Sequence, residues 1–82
     1  MEKRLGVVGL VIEDRKKLAP QVNQILSDHG EIIAGRMGLP DKGRKVSVIA
    51  LIVDGTTDEL GSLTGKLGML TGVHVSSALI RK

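Results

Sequence analysis

The chain has no cysteine, phenylalanine, tyrosine or tryptophan, and only 2 histidines among its 82 residues. Without cysteine there is no disulfide and no thiolate metal site, and two histidines fall short of the donor set of a structural zinc. Without aromatic rings the core has to be built from valine, isoleucine, leucine, methionine and alanine, small aliphatics that favour strands with leucine-rich helices laid over them. A sheet that reads RNA by stacking bases on aromatic side chains also has no platform here. Long apolar runs are missing too. The longest, VIALIV at 48–53, is far below the roughly 20 residues of a membrane span, and the N-terminus has no signal-peptide hydrophobic region, so a cytoplasmic protein without membrane contact is expected. Charge of neither sign dominates: 12 Lys and Arg against 9 Asp and Glu leave +3, too small a bias to name an anionic partner.

What is present orders into one domain over residues 1–82. A chain of this size folded alone buries only about 60% of its unfolded surface and is marginally stable. RLGVVGLVI at 4–12 reads as a strand. Leu18, Val22, Ile25 and Leu26 then form the stripe of an amphipathic helix. Pro20 places the start of that helix near residue 17, since proline is cheap only in the first turn, and Gly30 is expected as its left-handed cap after His29. EIIAGRMGL makes a second strand, PDKG at 40–43 a turn, and a third strand runs from about Arg44 to Val53. Thr56 and Glu59 have capping-box spacing, opening a second helix that carries Leu60, Leu63, Leu67 and Leu70 on one face. VHVSSALI is the fourth strand. Two βαβ units joined by a hairpin predict an α+β, ferredoxin-like βαββαβ fold: a four-stranded antiparallel sheet with both helices on one face.

That arrangement leaves one sheet face bare, and the two central strands are apolar on both faces. In VSVIALIV at 46–53 the only polar side chain is Ser47, where a strand with one wet face should alternate. An apolar patch beyond a few hundred Å² marks a partner surface, and a second copy of the chain is the economical partner, as a homodimer or homotetramer. Val7, Val11, Ile49 and Leu51 are the interface candidates; the alternation itself does not say which face of the third strand is bare. Gly61, Gly65 and Gly68 form a stripe on the second helix, each at about 1 kcal/mol relative to alanine, which close approach to a neighbouring helix or the sheet would explain.

No catalytic residue, cofactor or metal site is expected. Ser76 and His74 share a strand face without a third orienting group, His29 suits a helix C-terminus, and Asp58 and Glu59 fill a first helical turn where acids are favoured. GSLTGKLG lacks the hydroxyl that follows lysine in a phosphate loop. Arg36, His74 and Ser76 are the ligand-binding candidates. Arg15, Lys16, Lys17, Lys42, Arg44 and Lys45 gather at one end of the expected sheet as anion-binding candidates, with Lys3, Arg4, Arg81 and Lys82 at the other. A nucleic-acid-binding protein acting through these basic ends is the alternative function.

The segments ILSDHGEIIAGRMGLP, VSVIALIVDGTTDELGSLTGKLG and GVHVSSALI resemble the small proteins assigned as regulators of iron-only hydrogenase systems. The βαββαβ order with an apolar open face is similar to ACT-like regulatory domains, and in architecture to the C-terminal domain of the nickel-responsive repressor. The resemblance implies an oligomeric ACT-like module with a regulatory role, transcription included, and an unidentified small ligand. It does not carry over amino-acid sensing, because EDRKKLAP has no glycine in the loop after the first strand, nor nickel sensing, because only His29 and His74 are available. An assembly subunit for a metalloenzyme is a third reading.

Overall fold

The computed structural model describes residues 2–41 and 43–80. Its elements are β1 (Arg4–Ile12), α1 (Arg15–Asp28), a single 3₁₀ turn (Gly30–Ile32), β2 (Ile33–Asp41), β3 (Val46–Gly55), α2 (Thr57–Gly68) and β4 (Val73–Ile80). The strands pair antiparallel in the order β2-β3-β1-β4, with both helices on one side, which is the ferredoxin-like arrangement. Both βαβ crossovers therefore return to the same sheet face, and the central pair is β1 and β3.

The core lies between helices and sheet. Val8, Leu10 and Ile12 of β1 and Ile49, Leu51 and Val53 of β3 point towards the helices and are buried. They meet Leu18, Val22 and Leu26 of α1 and Leu60, Leu63 and Leu67 of α2, with Ile25 and Leu70 half-buried at the margin. Apolar residues four apart on α1 (Leu18, Val22, Leu26) and leucines three and four apart on α2 (Leu60, Leu63, Leu67) supply this face, as the periodicity requires.

Local chemistry sets the ends of the helices. The Asp14 carboxylate accepts the Lys17 backbone N–H at 3.3 Å and caps α1. The helix thus starts at Arg15, two residues before the position Pro20 predicts. The missing proline N–H leaves unpaired only the carbonyl of Lys16, an exposed residue that water can serve, so the cap prevails over the break. At α2 the capping box is complete: Thr56 Oγ1 accepts the Glu59 N–H at 3.2 Å and Glu59 Oε1 accepts the Thr56 N–H at 2.8 Å. That backbone bond, helped by the Thr56 hydroxyl, holds the Glu59 carboxyl below its ordinary value.

Three local expectations are corrected. Gly30 is not a left-handed cap: the chain tightens into the 3₁₀ turn, and Gly72, at φ 92°, is the glycine that adopts that conformation. The hairpin turn occupies residues after Pro40 and Asp41, both of which stay in β2, and Lys45 takes the positive φ of 59°. Gly61, Gly65 and Gly68 allow no close approach within the chain, since a Cβ at any of them would have open space around it.

Candidate functional site

The side of the sheet away from the helices is laid out in rows by strand register. Leu39, Val48, Val11 and His74 form one row; Met37, Ala50, Gly9 and Ser76 the next; Gly35, Ile52, Val7 and Ala78 a third; Asp54, Leu5 and Ile80 end the face. The middle row is small at Ala50, Gly9 and Ser76, so it forms a shallow trough between two ridges of valine and isoleucine. The face is apolar and wet: Ile52 is 48% exposed, Leu39 63% and Met37 64%. From strand spacing and rise its projected area is roughly 500 Å², well above the scattered single hydrophobics that any surface carries.

Of the interface candidates, Val7 and Val11 stand on this open face. Ile49 and Leu51 do not; they are 8% and 0% exposed and belong to the core, so on β3 the bare residues are Val46, Val48, Ala50 and Ile52. The physical reason is phase. Both faces of β3 are apolar, and pairing with β1 puts Leu51 opposite Val8 and Ile49 opposite Leu10, residues that the helices cover.

The ligand-binding candidates separate. His74 and Ser76 lie on the open face, as expected of positions two apart in a strand, and His74 Nε2 is 2.6 Å from Glu13 Oε2 at its rim, both side chains exposed. Arg36 lies on the other side of the sheet, where its Nη2 donates to Asn23 Oδ1 of α1 at 3.3 Å. A single site built from all three is therefore not formed. His29 acts as a helix tie: its ring Nδ1 lies 2.8 Å from the Ile25 carbonyl and Nε2 3.4 Å from Ser62 Oγ of α2. With Nδ1–H as donor, both contacts are satisfied by a neutral ring.

The basic end is mixed in sign. Arg15, Lys16 and Lys45 share a surface cleft with Glu13, Asp14 and Asp41. Arg44 pairs with Asp41 at 3.7 Å and donates its backbone N–H to the same carboxylate at 3.2 Å. Lys17 engages Asp14 through its backbone, while Lys42, Arg81 and Lys82 lie outside the described residues. Three carboxylates among these cations oppose the continuous positive track that phosphate backbones require. Among the described residues no group of three or more histidines, cysteines or acids could hold a metal ion, and no helix is long and apolar enough to cross a membrane.

Met37, Leu39, Val48 and Ile52 are among the open-face residues outside the interface candidates, with Leu5 and Ile80 at the end of that face. In the unbroken apolar run of β3 nothing distinguishes Val48 and Ile52, because alternation carries no phase when both phases are greasy. Met37 and Leu39 alternate with Arg36 and Gly38 in β2, and that alternation is the signal that marks them.

The family model TM1266-like, provisionally described as an iron-only hydrogenase system regulator, matches residues 4–77. No curated protein matches significantly. The uncharacterized protein TM1266 from Thermotoga maritima superposes with a TM-score of 0.93 at 36% identity, covering 98% of this chain and 100% of that one. The ACT domain of the GTP pyrophosphokinase of Chlorobium tepidum gives 0.73 at 20% identity, covering 100% and 91%. CPII, a nitrogen regulatory PII-like protein from Thiomonas intermedia K12 solved with ADP, AMP and bicarbonate, gives 0.53 at 14% identity, covering 96% and 92%. The last two show a shared fold.

Proposed function

We propose, for a chain that belongs to the TM1266-like family, a non-catalytic regulatory module that self-associates through the open face of its sheet and responds to a bound ligand or partner. The apolar face rowed around Ala50 and Gly9 carries the reading. A second copy is the partner best suited to it, because the same valine and isoleucine ridges and the same trough are present on both molecules and an isologous contact needs no other protein. On this reading, control of an iron-only hydrogenase system, transcription included, is exerted through what this module binds. A ligand that prefers one association state shifts the equilibrium towards it, and association changes ligand affinity by the same factor. The PII-like neighbour, solved with nucleotides and bicarbonate, supports small-ligand binding as a use to which this fold is put.

Sedimentation velocity of the purified chain tests the reading, in low and in high salt. The apolar assembly should persist as salt rises. A monomer that instead binds nucleic acid, with affinity falling steeply with salt, would favour the basic ends as the functional surface.

A further inference from the structure

On the helix side of the sheet, between α1 and edge strand β2, a cleft of about 230 Å³ carries Arg15, Asn23, Arg36 and Ser47 over a floor that includes Val22 and Ile49. We infer that this cleft binds a small organic oxyanion, a carboxylate or phosphate group on a short apolar body. Its lining contains two guanidiniums, an amide and a hydroxyl, and no carboxylate. Among the described residues neither Arg15 nor Arg36 is ion-paired, and the contact with Asn23 uses one of the five N–H donors of Arg36. The remaining fork suits the paired oxygens of a carboxylate or phosphate.

The backbone is shaped to bring Arg36 here. From Ile33 opposite Val53, regular antiparallel register would place Arg36 opposite Ala50, on the open face. A bulge between Ile33 and Gly35 shifts the register, and Arg36 lies instead opposite Leu51, on the helix side. Bulges commonly re-aim a side chain in this way beside binding sites. Gly38, the next β2 position on that side, keeps the space open. A Cβ there would stand 3.8 Å from Ile49 Cγ1 and 3.9 Å from the Val48 carbonyl oxygen, ordinary contacts, so packing does not demand glycine. α1 also opens with Arg15, Lys16 and Lys17 and no acid in its first turn, cations at the positive end of the helix dipole. The Asp14 carboxylate caps that helix end, and of the three cations Arg15 is the one that lines the cleft. The volume lies below the range of drug-sized pockets, which limits the guest to a few carbons beside its charged group.

This inference rests on the reading of the domain as a ligand-responsive regulator, but occupancy of the cleft is measured apart from self-association. The full chain, labelled with ¹⁵N, is titrated with isobutyrate and separately with inorganic phosphate, while sedimentation follows its mass. Saturable shifts at Asn23, Arg36, Gly38 and Ser47 are expected for at least one probe, and the stronger binder identifies the oxyanion. Arg36→Gln should weaken binding on the order of tenfold or more. Gly38→Val, which fills the cleft, should abolish isobutyrate binding with the melting temperature held or raised. Failure of both probes to saturate, an unchanged affinity in Arg36→Gln, or shifts confined to Lys16 and Lys45 would each overturn the inference whatever mass sedimentation records. A monomeric mass with saturable binding would overturn the self-association reading alone.

Discussion

Leu51 and Ile52 are neighbours on one strand, similar in size and hydrophobicity, yet one is 0% exposed and the other 48%. The two sides of β3 differ only in what lies over them. Helices α1 and α2 close the Leu51 side with their apolar stripes, whereas none of the described residues covers the Ile52 side. Apolar composition on a strand therefore records how many faces have to be dried, and the helices of an 82-residue chain dry one. In the proposed assembly a second copy supplies the other drying surface.

The largest effect that sharpens this contrast is expected on the covered side. Leu51→Ala should lower stability by about 2–5 kcal/mol, read by urea unfolding, because it leaves a cavity under both helices. Across the strand, Ile52→Asp should leave the far-UV circular dichroism intact and raise the dissociation constant of the assembly by roughly tenfold or more in sedimentation. Were the two positions to respond alike, the faces would not differ as described. A smaller effect of opposite sign belongs to the glycine stripe. With open space at its Cβ, Gly65→Ala should stabilise the chain by about 1 kcal/mol in thermal melts, unless a second copy approaches that helix surface and the substitution weakens assembly instead.

The smallest effect is a pH dependence. Hydrogen bonds from Thr56 lower the folded-state pKa of Glu59, so folding favours the ionised carboxylate. The resulting stability is present above the unfolded carboxyl range and lost as pH falls through the lowered folded value. Glu59→Gln should accordingly melt slightly below the parent at neutral pH, the difference closing in acid.

Much of this architecture is written locally. The leucine stripes, the Thr56 and Glu59 box and the βαββαβ order follow from short-range rules, and together they place both helices on one side of the sheet. Phase is not local: with both faces of β3 apolar, only its pairing with β1 decides that Ile49 and Leu51 go inside. The bulge that turns Arg36 towards α1 is likewise a product of pairing, since AGRMG shows glycines and a charge but not which face receives it. Asn23, the partner of Arg36, carries no signal at all on an exposed helix position. Pro20 and Gly30 misled for a related reason: a strong single-residue preference was overridden by the Asp14 cap in one case and by a 3₁₀ turn in the other.

The central claim is that a second copy keeps water off the open face, and the molar mass of the unmodified chain at micromolar concentration tests it most directly. Light scattering coupled to size exclusion should give at least twice the 8.7 kDa of one chain, collapsing towards that value in Ile52→Asp. A folded particle of a single chain's mass, indifferent to the substitution and unable to bind a hydrophobic dye, would contradict it.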